Sequence, residues 1–291
     1  MKNKILDLKN LTKYYGKILG VKDLTLSLYE GEVFGFIGPN GAGKSTTIRM
    51  IMNLISKTKG EVLFQGKPLT QDMVELKQQI GYLPSELHLY EDMTVKEMLD
   101  YHASFYQKDC SKRRVELVQR FQLDESKKIE ELSFGTLKKV GIILAFMHEP
   151  KLLILDEPTS GLDPLMQQVF YKLILEEKKK GTTIFYSTHI LSEISKVCDR
   201  VGLVKDGTLL RIETIEEMRK KSILFVTLES NEIEKIKSEL NITTIYQHGN
   251  EMKFKNQLSM DSLIRVLAQY HILKLLIEEG TLEDMLLEEY Q

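Results

Sequence analysis

The sequence predicts an α/β fold built on a parallel sheet, followed by a small α+β domain, and three observations support this prediction. Short apolar runs alternate with segments of helical periodicity over most of the chain. A glycine-rich stretch, GPNGAGKSTT, stands between one of these runs and a helical segment. After about residue 220 the order of elements changes to β-α-β-β-α-β. We therefore expect one domain over residues 1–220 and a second over residues 221–291.

The composition is that of a soluble globular protein. Of the 291 residues, 42% are hydrophobic and 28% are charged, and the net charge of −2 gives no reason to expect nucleic acid as a partner. Cys110 and Cys198 match no metal or redox spacing, which predicts reduced thiols in a cytosolic protein. The amino terminus lacks the pattern of a signal peptide, and no apolar run has the length of a membrane span. We expect any membrane-spanning part to belong to another chain.

The glycine-rich stretch predicts a phosphate-binding loop (P-loop). It follows VFGFI (33–37), a run typical of a strand buried on both faces. The segment after it has the apolar face of a helix, formed by Ile48, Ile51, Met52 and Ile55. In this arrangement the loop amides and the helix N-terminus converge on one point and stabilise phosphate oxygens there. Lys44 can reach the β- and γ-phosphates, and the Ser45 hydroxyl can bind Mg²⁺. The loop residues predicted to contact nucleotide are Gly38, Asn40, Gly41, Gly43, Lys44, Ser45 and Thr46.

The segments on either side of this loop differ in type. Apolar alternation in DLTLSLYEGE predicts antiparallel strands in the N-terminal part, with one face formed by Leu24, Leu26 and Leu28. Residues 87–121 are predicted to be helical. The first of these helices starts at Thr94, because Glu97 three residues later completes the spacing of a capping box.

Strand-like runs return in the second half of the first domain, as KLLIL (151–155), TTIFYST (182–188) and RVGLV (200–204). Helical segments lie between the first two runs and after the second, which predicts a parallel sheet with crossover helices. Asp206-Gly207 is a hairpin signal that ends this region.

The last part of the chain predicts a ferredoxin-like domain. ILFVTLE, NITTIYQ, EMKFK and HILKLLI have the pattern of strands, and NEIEKIKSEL and SMDSLIRVLAQY have that of helices. The hairpin turn is placed at Gly249-Asn250, and Thr281 with Asp284 could cap a final short helix. No phosphate, metal or nucleophile motif is found here, so we interpret this region as an accessory domain.

An acidic pair, Asp156-Glu157, follows the KLLIL run. The carboxyl end of a buried parallel strand is where open α/β sheets bind ligands. Asp156 is placed to hold Mg²⁺, directly or through water, as a Walker-B aspartate does. Glu157 could accept the proton of an attacking water.

Two further stretches show which kind of P-loop protein this is. LSFGTLKKVGIILA (132–145) precedes the acidic strand, and STHILSE (187–193) follows it. The first stretch resembles the signature Leu-Ser-Gly-Gly-Gln, and the P-loop precedes both stretches. In this order of motifs the chain resembles the ATP-binding cassette (ABC) proteins over about residues 4–220. The resemblance implies a P-loop cassette with a parallel core, an N-terminal antiparallel part and a helical subdomain at about residues 87–148.

The resemblance also implies roles for individual residues. Tyr15 would stack on adenine, and His189 would contact the γ-phosphate. Ser133 and Gly135 would contact the γ-phosphate of ATP held by a second cassette. Ser160-Gly161-Leu162-Asp163 corresponds to the D-loop, which lines the dimer interface in this family.

The chain departs from the family pattern at two places. The signature has Phe134 in place of glycine and Thr136 in place of glutamine, so we expect phosphate contact to survive while the helix start packs differently. In IGYLPSE, Ser85 stands where the family has a glutamine that binds Mg²⁺ and senses the membrane partner, with Glu86 next. Because serine reaches less far than glutamine, this departure weakens the expectation of a metal contact from this loop.

Together, these features predict an ATP-hydrolysing subunit of a bacterial ABC transporter, located on the cytoplasmic face of the membrane. ATP and Mg²⁺ would lie between two cassettes, in a homodimer or a heterodimer, and Glu157, His189 and Lys44 would be the catalytic residues. The partner would be an integral membrane permease encoded separately, docked on residues 87–121, with no nucleic acid involved. The C-terminal tail GTLEDMLLEEY resembles that of drug and peptide-antibiotic exporters, so export is preferred over import.

Two other functions remain open at this point. A soluble ABC ATPase acting on ribosomes or DNA is disfavoured, because there is one cassette, no room for a long coiled coil before Leu132 and no basic stripe. A regulatory module that binds ATP without hydrolysing it is suggested by Ser85 and the altered signature, although Glu157 and His189 argue against it.

Overall fold

The computed structural model describes residues 3–70, 73–220, 224–240, 242, 244–256 and 258–279. The chain divides into two compact units, Met1–Ile215 and Glu216–Gln291, so that the division falls a few residues before the predicted one. The strands are β1 (Lys4–Tyr15), β2 (Ile18–Tyr29), β3 (Val33–Ile37), β4 (Lys59–Phe64), β5 (Lys67–Pro68), β6 (Ile80–Leu83), β7 (Leu152–Asp156), β8 (Thr183–Thr188), β9 (Arg200–Lys205), β10 (Thr208–Thr214), β11 (Leu224–Glu229), β12 (Thr244–His248), β13 (Glu251–Asn256) and β14 (Lys274–Glu279). The helices are α1 (Lys44–Ile51), α2 (Val74–Lys77), α3 (Val95–Ala103), α4 (Ser111–Phe121), α5 (Phe134–Phe146), α6 (Pro164–Lys179), α7 (Leu191–Val197), α8 (Ile215–Lys220), α9 (Ile233–Leu240) and α10 (Met260–Leu267).

The core of the first unit is a mixed sheet with strand order β10-β9-β3-β8-β7-β6. All neighbouring strands in it are parallel except β9 and β10, which form the predicted hairpin. Strands β3, β7 and β8 are buried along their whole length, as expected for strands covered on both faces. The predicted parallel core is therefore confirmed.

The N-terminal part forms an antiparallel sheet with strand order β2-β1-β4-β5. Leu24, Leu26 and Leu28 are all buried and lie on one face of β2, as their alternation predicts. They belong to the same hydrophobic core as Phe34 and Phe185 of the parallel sheet. The antiparallel part thus packs on the sheet that carries the phosphate loop.

Helix α1 is shorter than its apolar periodicity predicts. It ends at Ile51, and Ile55 lies beyond it, so the expected helical face from Ile48 to Ile55 is wrong at its C-terminal end. Asn53 has a left-handed backbone with φ of 57°. The Leu54 amide donates to the Arg49 carbonyl, and the Asn53 amide to the Met50 carbonyl, which is a Schellman motif. An asparagine that adopts the left-handed conformation ends the helix before the apolar pattern does.

The first helix of the middle segment begins as predicted, although residues 104–110 of the segment predicted to be helical form a loop. Thr94 caps α3, its side chain accepting from the Glu97 amide while the Glu97 carboxylate accepts from the Thr94 amide, so the capping box is confirmed. Ser133 caps α5 by accepting from the Thr136 amide. None of the helices that the structure describes is long and apolar enough to cross a membrane.

The second unit has the predicted ferredoxin-like topology. Its sheet has strand order β12-β13-β11-β14 with antiparallel neighbours, and a turn at Gly249-Asn250 joins β12 to β13. Its hydrophobic core combines residues of β11 and β13 with residues of α9 and α10, including Val226, Phe254, Ile236 and Leu263. The possible cap at Thr281 and Asp284, and the exporter-like tail, lie outside the described residues.

Candidate nucleotide-binding site

A cavity of about 760 Å³ lies at the carboxyl ends of the parallel strands. Strands β9, β3, β8, β7 and β6 are neighbours in the sheet, and the residue or loop that follows each of them reaches this cavity. Ligands bind at this edge of open α/β sheets, because the loops that follow parallel strands converge there. The lining residues are Leu19, Gly20, Asn40, Gly41, Gly43, Lys44, Ser45, Thr46, Ser85, Glu86, Phe134, Glu157, Ser160, His189, Asp206 and Gly207.

The loop after β3 has the geometry of an anion cradle. Gly41 and Gly43 have positive φ angles of 82° and 96°, and a Cβ atom on Gly43 would lie 2.7 Å from the Gly20 carbonyl oxygen. Glycine is therefore required at position 43 both for its conformation and for the close approach of Gly20. No side chain caps the N-terminus of α1, so its first amides remain available to phosphate oxygens.

Lys44 is buried at the base of this loop. Its Nζ donates to the carbonyl oxygens of Gly38, at 2.8 Å, and of Pro39, at 3.2 Å. It also lies 3.5 Å from Glu157 Oε1. The ammonium group is thus held within the loop and directed at the space where the loop amides converge.

Glu157 stands at the centre of the site. Its backbone has a left-handed φ of 50°, which is unusual for a glutamate, and its amide donates to the Ser187 carbonyl at 3.0 Å. Its carboxylate lies between Lys44 and His189, whose Nδ1 is 2.7 Å from Oε2. The structure therefore brings the three predicted catalytic residues together. A strained backbone at such a position is typical of residues that a site holds in place for function.

Asp156 lies just behind the cavity, at the buried end of β7. Among the described residues its Oδ1 atom has no hydrogen-bond partner, although it is shielded from solvent. Burial raises the pKa of Asp156, whereas the nearby Ser45 and Ser187 hydroxyls act in the opposite direction. The Ser45 hydroxyl lines the cavity in front of it. An unpartnered carboxylate oxygen and a hydroxyl are ligands that Mg²⁺ accepts, so these residues fit the ion.

Tyr15, Ser133 and Gly135 lie away from the cavity wall. The Tyr15 ring is exposed and packs beside Gly20, where a Cβ atom would be 3.0 Å from the ring. Ser133 is also exposed, at the start of α5. A Cβ atom on Gly135 would lie 2.4 Å from the Gly161 carbonyl oxygen, so the signature packs directly on the D-loop of the same chain.

The two signature substitutions have structural counterparts. Thr136 supports the helix cap, because its amide and its hydroxyl both contact the Ser133 hydroxyl, at 3.3 and 2.9 Å. Phe134 is 55% exposed and lines the cavity, and its ring leaves no room for a side chain on Gly161. The aromatic ring therefore fills space between the signature and the D-loop.

A buried carboxylate that the sequence did not single out connects the loops of the site. Glu193 accepts hydrogen bonds from Thr188, at 2.7 Å, from Tyr186, at 3.1 Å, and from Thr159. Thr188 immediately precedes His189, and Thr159 leads into the D-loop. Glu193 lies within the quoted stretch STHILSE, but its position four residues after the histidine carries no signal of this role.

The hairpin at Asp206-Gly207 was also not predicted to belong to the site. The Gly207 amide donates to the Ala42 carbonyl at 3.1 Å, and the Lys22 amide donates to the Gly207 carbonyl at 2.8 Å. The turn between β9 and β10 therefore braces the phosphate loop. Only the strand order, which places β9 beside β3, makes this contact possible.

Comparison with known proteins agrees with this geometry. The ABC transporter family matches residues 21–160. The linearmycin resistance ATP-binding protein LnrL of Bacillus subtilis is 32% identical over 302 residues, covering 97% of each chain. The bacitracin transport ATP-binding protein BcrA of Bacillus licheniformis is 32% identical over 284 residues, covering 95% of this chain and 90% of its own.

Solved structures give the same result. The ATP-binding subunit of an ABC transporter aligns with a TM-score of 0.70 and 33% identity, over 75% of this chain and 92% of its own. A dimeric post-hydrolysis state of the cassette MJ0796, bound to ADP and Pi, aligns with a TM-score of 0.65 and 27% identity, over 72% and 99%. The chain therefore belongs to the ATP-binding proteins of the ABC transporter family, with a P-loop cassette that binds ATP and acts as an ATPase.

Proposed function

We propose that this chain powers export through a separate membrane subunit and does so as a cassette dimer on the cytoplasmic face of the membrane. One observation carries the proposal: Lys44, Glu157 and His189 meet in the cavity at the carboxyl ends of the parallel strands. A cation, a carboxylate and an imidazole around one point support the roles of phosphate ligand, general base and γ-phosphate sensor that we propose for them.

Each residue has a defined task in hydrolysis. Lys44 would exchange its two backbone carbonyl acceptors for phosphate oxygens of ATP. Glu157 would accept the proton of the attacking water, and His189 would hydrogen-bond the γ-phosphate. Ser45 and Asp156 would hold Mg²⁺, which when bound offsets the negative charge of the phosphates.

A second cassette would complete the site. Ser133 is exposed and Gly135 lies beside it, and neither lines the cavity of its own chain. This position suits residues that contact the nucleotide of a partner cassette. The MJ0796 relative is a dimer, which supports the same pairing here.

The proposed docking surface for the membrane subunit is the helical segment 87–121. Tyr90, Tyr101 and Phe105 are exposed on it and contact one another edge to face, with ring centroids 5.6 and 5.0 Å apart. Exposed aromatic side chains that pack together are typical of protein interfaces. They support docking at this segment.

Export is supported by the printed roles of two relatives that align with most of the chain. LnrL is a resistance protein for linearmycin, and BcrA is a bacitracin transport protein. Resistance to an antibiotic fits removal of the compound from the cell better than uptake. We therefore propose that this chain, with its membrane subunit, protects a cell against an antibiotic.

The first experiment captures the membrane subunit. Tagged Glu157→Gln is purified from detergent-solubilised membranes with Mg-ATP, and the proteins that accompany it are identified by mass spectrometry. Because the substitution preserves binding but slows hydrolysis, it should hold the closed dimer and recover a multispanning protein in stoichiometric amount.

Two controls separate specific from incidental recovery. Lys44→Ala should recover much less of the membrane protein, and adding Mg-ATP should not increase the amount. Glu157→Gln purified with Mg-ADP should give the same low recovery. Recovery of ribosomal or DNA-binding proteins in place of a membrane protein would contradict the proposal. The direction of transport is tested by co-expressing this chain with the captured subunit in an antibiotic-sensitive strain. Export should raise the resistance of the strain, and lowered resistance would indicate import.

A further inference from the structure

Lys138 is a fully buried cation that none of the predicted roles uses. It lies on α5, five residues after the capping Ser133, and it is 1% exposed. Lysine is rarely buried to this extent without a partner for its charge. Among the contacts of the described residues, its ammonium donates to the carbonyl oxygens of Pro84 and Ser85, both at 3.1 Å.

The acceptors belong to the segment where this chain departs from the family pattern. Ser85 and Glu86 line the nucleotide cavity, and Ser85 stands in place of the usual glutamine. The lysine contacts backbone carbonyl oxygens of this segment, so the contact does not depend on the short serine side chain. A charge-assisted pair of hydrogen bonds fixes the backbone more strongly than two neutral bonds would.

Gly141 adds a second point of contact on the same face of α5. A Cβ atom there would lie 2.4 Å from Leu87 Cδ1 and 2.8 Å from Leu83 Cδ1. The helix therefore lies directly against residues 83–87, with Lys138 and Gly141 spaced three residues apart. Two contacts on one face therefore join the segment to the helix.

Electrostatics explain why the cation is tolerated. Burial lowers the pKa of Lys138 to about 8, and the negative charges of Asp156 and Glu157 act in the opposite direction. The ammonium is thus held by carbonyl dipoles and by the field of the two carboxylates that the site requires. Its position connects the cavity edge to the helix that begins at the signature.

We propose that Lys138 is a positioning residue that ties residues 84–86, at the edge of this chain's own nucleotide cavity, to the helix that presents Ser133 and Gly135 to the partner's nucleotide. The inference rests on the proposed dimer. In this dimer Lys138 couples the two ATP sites. A displacement of residues 84–86 at one site is passed through α5 to Ser133 and Gly135, which contact the ATP of the other site.

Lys138→Met tests this coupling, because methionine keeps an unbranched stem and removes the three donors. With the membrane subunit present, we expect kcat for ATP to fall about tenfold and the Hill coefficient to approach one. The Kd for ATP, measured with a fluorescent analogue, should stay within twofold. Lys138→Gln, whose amide can still donate, should recover part of both kcat and the Hill coefficient. Lys139→Met, the matched control on the same helix, should behave as the wild type.

A second measurement is independent of activity. Hydrogen exchange of the amides of Leu83 and of residues 85–87 should be about tenfold faster in Lys138→Met than in the wild type, while exchange in α6 is unchanged. If Lys138→Met does not fold, Lys138→Gln is compared in the same way, and a smaller acceleration in the same segment is expected.

The proposal would be overturned by a Lys138→Met protein with wild-type kcat, Hill coefficient and local exchange. It would also be overturned by a lower melting temperature with unchanged kcat per folded molecule, since that pattern describes a merely structural lysine. Failure of the proposed transporter function looks different, because then the wild type itself shows no cooperative ATPase activity with the membrane subunit.

Discussion

Buried charges are treated differently in two regions of the first unit. At the nucleotide cavity, Asp156 keeps an oxygen without a partner among the described residues, and Glu157 is held in a left-handed conformation. At the contact between α4 and α6, Glu177 is equally buried but pairs with Arg113, at 2.5 Å, and with Lys180, at 2.8 Å. The first region leaves an oxygen of Asp156 available and pairs Glu157 only with other residues of the site, whereas the second region neutralises its buried carboxylate with Arg113 and Lys180.

The fold therefore keeps the charges that stabilise it apart from the charges that serve the nucleotide site. Removing one member of a buried ion pair leaves a desolvated charge and costs several kcal/mol. A carboxylate that awaits a ligand already carries much of its desolvation cost in the free protein. Substitutions in the two regions should therefore affect different measurements, and the following predictions use this contrast.

The largest effect is expected at the cavity. Glu157→Gln should lower kcat for ATP by about 10²- to 10⁴-fold, because the general base is lost while the shape is kept. The melting temperature should be unchanged. Phosphate release and thermal denaturation measure the two effects, and a kcat within threefold of the wild type would refute the assigned role of Glu157.

The next effect is expected at the helix contact. Glu177→Gln should lower the free energy of unfolding of the first unit by about 3 kcal/mol, because it removes the buried carboxylate that faces Arg113 and leaves this guanidinium with the 52% exposed Glu116. The kcat per folded molecule should stay the same. Urea denaturation measures the loss, with Glu176→Gln as control, since that carboxylate is 48% exposed and its pair with Arg120 contributes less than about 1 kcal/mol. An equal loss of unfolding free energy in Glu177→Gln and Glu176→Gln would contradict the prediction.

A third prediction concerns the neutral histidines under the helical segment. His148 is buried and stacked on Tyr106, with ring centroids 4.0 Å apart. Burial, together with the positive charge that the nearby His102 can carry, lowers the pKa of His148 to about 4. Between about pH 4 and 6.5 the unfolded chain binds more protons at this residue, so stability should fall as the pH falls through this window.

At the acidic end of this pH window, the free energy of unfolding should be lower by up to about 3 kcal/mol, because of the lowered pKa of His148. His148→Phe keeps an aromatic ring against Tyr106 and cannot be protonated. Its unfolding free energy should therefore depend less on pH over the same window. Urea denaturation at pH 4.5 and at pH 7 measures the difference, and parallel curves for the two proteins would contradict the prediction.

The smallest effect is a gain. Asp156→Asn replaces a buried carboxylate, one of whose oxygens has no partner in the described part of the chain, by a neutral amide. Without nucleotide and Mg²⁺ the variant should be more stable by about 1 kcal/mol, because the charge is no longer desolvated. Added Mg-ATP should stabilise it less than it stabilises the wild type. A lower melting temperature in EDTA would show that Asp156 is structural.

Local patterns predicted much of the architecture. The capping box at Thr94, the buried strand 33–37 and the ferredoxin-like order of the second unit are properties of short windows, and the structure has them as predicted. The end of α1 was not predicted, because the left-handed turn at Asn53 interrupts an apolar pattern that continues to Ile55. A periodicity reports which face is buried and does not report where the backbone turns.

The sequence by itself determined the fold class, the family and the chemical types gathered around the phosphate, because these depend on residue spacing along one loop or one strand. The tertiary structure alone decided which loops meet. Strand order places the turn at Asp206-Gly207 against the phosphate loop, and helix packing places Glu193 against the Thr159 hydroxyl and Lys138 against residues 84–85. These contacts join residues far apart in the chain, and only the packing of helices on a sheet brings such residues within hydrogen-bond distance.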